Sequence, residues 1–383
     1  MINANSYSSN PHGKTFASLF TGGGLADIGA QQAGYDLLWG VEFDAEIAAI
    51  ANKNLAHRDT VHAASVIGFD WHSVEAPDHL HMSPPCQDFS VAKKSGAVAN
   101  PNDELADACI EALTILQPQT VTLENVEAYR KAPGFQRIVD HLWGAGYWVN
   151  VDVLNAADFG VPQTRRRLFL RAVKGAIPSP LPAPVRPWAG WYDAIADLIP
   201  ELPETEFAEW QLKRLPKALT DTCFVATNRT ATRRAAKEPS TTIVCVGGGH
   251  SVATQAFLVG DKGSESPAIS SRSGKAPSFS VVKGNGSGGL KACLVDGLAN
   301  NNGATVTAVA EADPSFTVKA STSKQASRAM ASGRVVRMTP RCLARFQTVP
   351  DWYKLPSKNT LACKIIGNGI PCLMMQRIME SFV

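Results

Sequence analysis

Between Lys14 and about residue 175 the chain alternates short apolar runs with amphipathic stretches, and few folds accept that order. TFASLF at residue 15 reads as a strand, and LADIGAQQAG as a helix closed by Gly34 just past its end. LLWGVEF is a second strand, after which Asp44 is placed to cap AEIAAIANKNL. DHLHM leads into a loop holding Pro84, Pro85 and Cys86, and DELADACIEALTIL has helical apolar spacing. QTVTLENV, YWVNVDVLN and RRRLFLRAV read as further strands, with GFQRIVDHLWGAG as a helix among them. The alternation predicts an α/β fold with a doubly wound, mostly parallel sheet that binds ligands at the carboxyl ends of its strands.

At about residue 177 the pattern breaks. IPSPLPAPVRPW carries five prolines and reads as a linker. From about 220 to 335 the chain is rich in Gly, Ser, Thr and Val, with short strand-like runs. A weak repeat passes through it as EPSTTIV at 238, APSFSVV at 276 and DPSFTVK at 313, so Pro-Ser recurs at 239, 277 and 314. Helical periodicity returns with RMTPRCLARFQTVPDWY. CKIIGNGIPCLMMQRIMESFV closes the sequence, with a turn expected at Gly367-Asn368-Gly369 and Pro371 in the first turn of a last helix.

Length and charge set wide bounds. A chain of 383 residues suits two or three domains, and a net charge of +3 does not by itself indicate a nucleic-acid partner. Between Asp313 and Arg345 seven Lys/Arg stand against one acid, which is either a solvated face or, from Lys319 to Arg345, a basic tail. The eight cysteines show no CxxC and no paired metal-ligand spacing, so no metal site is expected and a reduced, cytoplasmic setting is. MINANSYSSNPHGK has no apolar stretch of the signal-peptide kind, and no run is long enough to span a membrane.

Several residues stand where chemistry is mounted. Cys86 lies just past a rigid Pro-Pro step, at a strand end rather than inside an apolar run, which suits a reactive thiol. Phe20, Gly22 and Gly24 fall in a glycine-rich loop between a strand and a helix, where backbone can approach a ligand closely. Glu42 ends the next strand, placed to accept hydrogen bonds from a ribose or to be a surface carboxylate. VGGGHS at 246 is also glycine-rich but has no helix after it. Glu124 is either an exposed strand-end residue or an acid aimed into the ligand crevice. Arg165 and Arg167 share one face of a strand with Arg166 on the other, as a charged edge or as a paired guanidinium site.

Taken in order, FxGxG, EFD, PPCQ, ENV, QxRxR and a late GNGI resemble the DNA cytosine-5 methyltransferase family, over about residues 15–172 and 336–383. The resemblance implies a Rossmann-like S-adenosylmethionine-dependent domain at 1–180, a smaller β-rich target-recognition domain at 185–335, and a return segment at 336–383. It implies that Cys86 adds to C6 of a flipped cytosine, and that Glu124 hydrogen-bonds N3 and stabilises the charge moving onto the ring. Arg167 would orient Glu124 and the base O2, and Arg165 would hold the flipped nucleotide. For S-adenosylmethionine it implies Phe20, Gly22 and Gly24 in the first loop, Glu42 and Phe43 at ribose and adenine, and Pro85, Leu105 and Asn368 on the remaining wall. Two positions depart from the family pattern, Leu25 where a second glycine is common and Ser65 where an aspartate is common.

The resemblance further implies double-stranded DNA as substrate, and a restriction endonuclease as a functional rather than physical partner. An RNA cytosine-5 methyltransferase is the alternative within the family, disfavoured by the large β-rich insert. A nucleotide-dependent oxidoreductase would explain the glycine loop and Glu42 but not Cys86, Glu124 and QxRxR.

Overall fold

The computed structural model describes residues 11–56, 59–85, 101–191, 193–203 and 339–383, side chains in the helix at 101 starting from Glu104, and the backbone of strands between 254 and 337. The N-terminal decapeptide, Cys86, the repeat copy at 238, the VGGGHS stretch and the side chains of Lys319, Lys324, Arg328, Arg334 and Arg337 lie outside the described residues.

The alternation read from the sequence is what the chain forms. Its elements are β1 (Thr15–Leu19), α1 (Leu25–Gln32), β2 (Asp36–Glu42), α2 (Ala45–Asn54), β3 (Val61–Ala63), β4 (His79–Met82) and α3 (Pro101–Leu116). Then follow β5 (Thr120–Asn125), α4 (Pro133–Gly144), β6 (Tyr147–Asn155), the two-residue β7 (Gln163–Thr164) and β8 (Arg166–Lys174). Among the described residues, seven strands share one sheet in the order β3-β2-β1-β4-β5-β8-β6. Every pairing from β3 to β5 is parallel, and only β8 runs against its neighbours.

Both faces of the sheet are covered, so its central strands are buried on both sides even where polar and apolar residues alternate, as in β4 (HLHM) and β5 (TVTLEN). All four residues of β4 and all six of β5 are buried. On one face Leu19, Leu80, Val121 and Leu170 pack with Cys109, Leu113, Ile138 and Leu142 of α3 and α4. On the other, Phe16, Leu37 and Phe169 pack with Ala30 of α1 and with Met374 and Ile378 of a C-terminal helix. At about 25 cal/mol per Å² of apolar surface, each fully buried aliphatic side chain stabilises this sandwich by about 1.5–3 kcal/mol.

The C-terminal residues are part of that covering. They form α5 (Pro340–Phe346), α6 (Asn359–Asn368) and α7 (Cys372–Met379). Phe346, Tyr353 and Ile365 join Leu25 and Ile28 of α1 in a third core, which also takes in Trp191, Ile195 and Ile199 beyond the proline-rich stretch. That stretch is irregular, as expected of a linker, yet Asp158 pins it by accepting from Arg186 Nη1 at 2.7 Å and Trp188 Nε1 at 2.9 Å.

Local signals held at several ends. Asp44 caps α2 by accepting from the backbone N–H groups of Glu46 and Ile47, and Gly34 follows α1 with φ +91°, a left-handed conformation glycine adopts without strain. The end of the chain differs from expectation. Gly367 and Asn368 are the last residues of α6 rather than a turn, and Pro371 is the N-cap of α7 rather than a residue of its first turn. Gly369 is required there by proximity, because a Cβ would stand 2.5 Å from Leu25 Cδ2.

Between residues 254 and 296 the backbone forms β9 (Thr254–Asp261), β10 (Ile269–Ser273), β11 (Ser278–Gly284) and β12 (Leu290–Asp296). These are followed by β13 (Val306–Thr307), β14 (Thr317–Ser321), β15 (Arg328–Ala331) and β16 (Arg334–Arg337). They fall into sheets ordered β12-β9-β10-β13, β14-β11-β7 and β15-β16.

Candidate active site

The sheet reverses its winding between β1 and β4, and the crevice at a reversal of this kind opens at the carboxyl ends of the strands. Three expected groups of residues meet there. The first is the glycine loop after β1, where Phe20, Gly22 and Gly24 have φ of 60°, 58° and 78°. For Phe20 that conformation costs about 1–2 kcal/mol, so surrounding contacts must impose it.

The loop is pinned from several sides. Ser83 Oγ donates to the Phe20 carbonyl at 3.1 Å, and Tyr353 Oη donates to the Gly23 carbonyl at 2.8 Å. Glu42 accepts from Gly22 N at 2.8 Å and from Asp44 N at 2.9 Å. A Cβ on Gly24 would stand 2.1 Å from Leu55 Cδ1, whereas one on Gly22 would meet no atom closer than 4.0 Å. Gly24 is therefore packed against protein, while Gly22 faces open space.

These residues fit a nucleoside-bearing cofactor. Glu42 stays half-buried at its strand end, and each carboxylate oxygen retains a second lone pair beyond the backbone N–H it already binds. Phe43 beside it is 80% exposed, an unusual state for a phenyl ring and a suitable platform for a planar base. Leu105 packs, like Phe20, against the core cluster of α3 and α4. Pro85 and Asn368 are exposed at the ends of their segments. Ser65 accepts from Ile67 N at 3.0 Å in a local turn.

The second group is carried by β5 and β8. Of the two readings left open for Glu124, the inward one holds: it is 6% exposed, and Arg167 Nε lies 3.1 Å from its Oε1. Arg165 and Arg167 are also buried, at 2% and 8%, while Arg166 points outward to Glu127 at 3.3 Å. Strand alternation thus places two arginines on the inner face, and burying them requires partners. Arg165 Nη1 donates to the Gly367 carbonyl at 3.2 Å, and Arg167 Nη1 to the Arg166 carbonyl at 2.7 Å. Burial pushes the Glu124 carboxyl above its ordinary range, and Arg167 and then Arg165 oppose that shift. A carboxyl so placed keeps its proton more readily and can donate a hydrogen bond.

The third group is the loop leading to Cys86. Asn125 Nδ2 donates to the Pro84 carbonyl at 2.9 Å, and both residues are buried. Ser83 N donates to the Leu19 carbonyl at 3.3 Å. Asn125 and Ser83 thus fasten the start of the cysteine loop to β5 and β1. Neither was singled out from the sequence, although Asn125 adjoins Glu124 in the ENV motif. Gln347 was missed as well; its Nε2 donates to the Ile366 carbonyl at 2.8 Å and holds the end of α6 in place.

Among the described residues the cysteines are buried or half-buried. Burial pushes the Cys109 thiol up to about 12 and the Cys363 thiol up to about 11, which suits packing rather than thiolate chemistry. Among the described residues no group of three His, Cys, Asp or Glu could hold a metal ion.

Two members of the expected basic tail are committed inside the fold. Arg341 donates to the carbonyls of Pro350 and Tyr353, and Arg345 pairs with Asp197 and with Asp351. They brace α5 against neighbouring loops.

Comparison with known proteins bears on this geometry. Residues 14–383 match the family model of C-5 cytosine-specific DNA methylase. The chain is 32% identical over 160 residues to the Type II methyltransferase M.FnuDI of Fusobacterium nucleatum, covering 40% of this chain and 44% of that protein. It is 34% identical over 161 residues to M.AplI of Arthrospira platensis, covering 41% and 45%. The matches therefore span about half the length of these curated relatives. A prophage-encoded DNA modification methyltransferase of E. coli superposes with a TM-score of 0.54 at 16% identity, covering 96% of this chain and 98% of that one. Spodoptera frugiperda DNMT2 superposes with 0.55 at 13% identity, covering 96% and 99%. These two likenesses show the fold.

Proposed function

From the premise that the chain belongs to the C-5 cytosine-specific DNA methylase family, we propose that it methylates C5 of a cytosine flipped out of double-stranded DNA. S-adenosylmethionine, the family's cofactor, supplies the electrophilic methyl group. The observation that carries the reading is the buried Glu124, flanked by Arg165 and Arg167 and set one residue before the Asn125 that holds Pro84.

Cytosine C5 is a weak nucleophile, so the ring must first be activated. The Cys86 thiolate adds to C6, and the electron pair of the C5–C6 bond becomes available at C5. Glu124, whose proton is favoured by burial, donates to N3 and stabilises the charge that the addition pushes onto the ring. Arg167 holds the Glu124 carboxyl in position, and Arg165 holds the flipped nucleotide. After C5 has taken the methyl group, loss of the C5 proton to a base lets the Cys86–C6 bond break and restores the ring. Phe20, Gly22, Gly24, Glu42, Phe43, Pro85, Leu105 and Asn368 hold the cofactor.

The division of labour follows from which surfaces remain. Residues 1–180 and 336–383 form the catalytic unit, and the β-rich segment within 185–335 reads the DNA. Residues 191–202 pack into the catalytic core, so the part that meets DNA begins after them. The relatives' designation as Type II methyltransferases supports a restriction endonuclease of the same specificity as functional partner, acting on DNA in the cytoplasm and nucleoid. No described helix is long and apolar enough to cross a membrane.

Bisulfite sequencing of a plasmid carried in cells that express the chain tests the proposal. Protected cytosines confined to one short sequence are expected. Full conversion of every cytosine, with the protein folded and abundant, contradicts it.

A further inference from the structure

Three cations stand at the mouth of the crevice without serving the fold. Past Asn125 the chain makes a short 3-10 turn, Glu127–Lys131, which packs against α4 and β8. Tyr129 anchors it, its buried ring meeting Phe135 of α4 edge-on at 5.8 Å. Arg130 and Lys131 follow that anchor and are exposed. β8 runs against β5, with Leu168 facing Asn125, so Arg166 at its start lies at the same end of the sheet. Arg166 is exposed between the buried Arg165 and Arg167.

These charges do little for stability. Among the described residues, neither the Arg130 nor the Lys131 side chain forms an ion pair or hydrogen bond. Both precede Pro133, where α4 starts behind Ala132 with no side-chain cap and no acid in its first turn. A cation there faces the positive end of the helix dipole and is mildly destabilising. Arg166 has Glu127 at 3.3 Å, but the two side chains are 66% and 56% exposed, and such a pair is weak.

A cytosine whose ring reaches the buried Glu124 stays joined to the strand it left, so its phosphates remain outside, at the rim. The turn after β5 and the start of β8 are part of that rim. We infer that Arg130, Lys131 and Arg166 form a phosphate-binding edge of the catalytic unit, which holds the DNA backbone beside the flipped cytosine. Glu127 pairs with Arg166 in the free protein and yields it to a phosphate, which takes two parallel bonds from one guanidinium. That the polyanion is duplex DNA rests on the methyltransferase reading; the unmatched charge does not.

The salt dependence of duplex binding tests the edge. Each neutralised phosphate contributes about 0.9 to the slope of log K against log salt. The triple variant Arg130→Ala, Lys131→Ala, Arg166→Ala should therefore lose about 2.7 from that slope, alike on target and non-target duplexes. It should melt near the parent and bind S-adenosylhomocysteine with the parent's Kd. Arg130→Lys with Arg166→Lys keeps the charge and should keep the slope. Glu127→Gln frees Arg166 and should tighten binding about two- to fivefold at low salt, the scale of one exposed ion pair. Lys174→Ala, at the far end of β8 beside Gln117, should leave the slope unchanged. A parent-like slope in the triple variant, or a fall of about one in Lys174→Ala, overturns the edge.

Single methylphosphonate substitutions, each removing the charge of one phosphate, test its place. The parent should lose affinity at phosphates next to the target cytosine, and the triple variant should be insensitive there. Sensitivity retained in the triple variant overturns the placement. A parent that methylates DNA while the triple variant keeps its slope removes the edge and leaves the methyltransferase reading intact. A slope that falls as expected in a chain that leaves DNA unmodified removes that reading and leaves the edge.

Discussion

Asn125 Nδ2 donates to the Pro84 carbonyl across 2.9 Å, tying the end of β5 to the loop that carries Cys86 two residues later. One residue before Asn125 in the same strand is Glu124, so a single backbone segment sets both the proposed proton donor and the height of the nucleophile's loop. Asn125→Ala leaves a buried carbonyl without its donor, at a cost of about 1–3 kcal/mol. Steady-state kinetics should show kcat lowered by about 10–100-fold, as expected when a reactive group moves by a fraction of an ångström. S-adenosylhomocysteine affinity should stay near the parent's. An unchanged kcat would mean that the loop is held by other contacts.

Glu124 gives a stability prediction with a definite sign. Its native carboxyl is raised above its unfolded value, so the folded state holds the proton more tightly. That linkage stabilises the fold at low pH and is lost as pH rises through the raised native value, above which a buried charge must be carried. Glu124→Gln imitates the protonated acid. It should therefore melt above the parent at alkaline pH, and the two melting curves should converge as pH falls. Activity should fall by about 10²–10³, the scale seen when one charge-stabilising donor is lost. If Arg167 acts through Glu124, the Arg167→Ala and Glu124→Gln losses will be far from additive in a double-mutant cycle.

The basic run from Lys319 to Arg345 should divide into two kinds of residue. Arg345 lies between Asp197 and Asp351, whose side chains are 63% and 60% exposed, so solvent screens much of the attraction. Arg345→Ala should lower stability by about 0.5–1 kcal/mol and leave the salt dependence of DNA binding unchanged. Alanine at Lys319, Lys324 or Arg328 should instead reduce the slope of log K against log salt by about one for each phosphate that is no longer neutralised. A reduced slope in Arg345→Ala would return that residue to the DNA-facing group.

Much of the fold and the site was legible in the sequence because the relevant signals are local. Strand alternation alone put Arg165 and Arg167 on one face, and a single side chain, Asp44, announced the start of α2. Where the structure departs, the cause is a contact between distant segments. Gly367-Asn368-Gly369 reads as a turn in isolation, but α6 continues through Gly367 and Asn368, and Gly369 is there because Leu25 leaves no room for a Cβ. Arg345 reads as part of a basic tail until Asp197, far away in sequence, is brought beside it. Asn125 was overlooked because its partner is a backbone carbonyl, and no side-chain pattern reveals such a partner.

The most direct test of the account is covalent capture. A duplex carrying 5-fluorocytosine at the target position has no C5 proton to lose, so the Cys86–C6 bond formed during methylation cannot break. Incubated with S-adenosylmethionine and then denatured, the wild-type chain should migrate as a stable protein–DNA adduct, and Cys86→Ser should release its DNA while still binding it before denaturation. Glu124→Gln should form the adduct more slowly by the same factor that its kcat falls. An adduct of wild-type yield in Cys86→Ser, or none in the wild-type chain under conditions where it methylates ordinary duplex, would contradict the central claim.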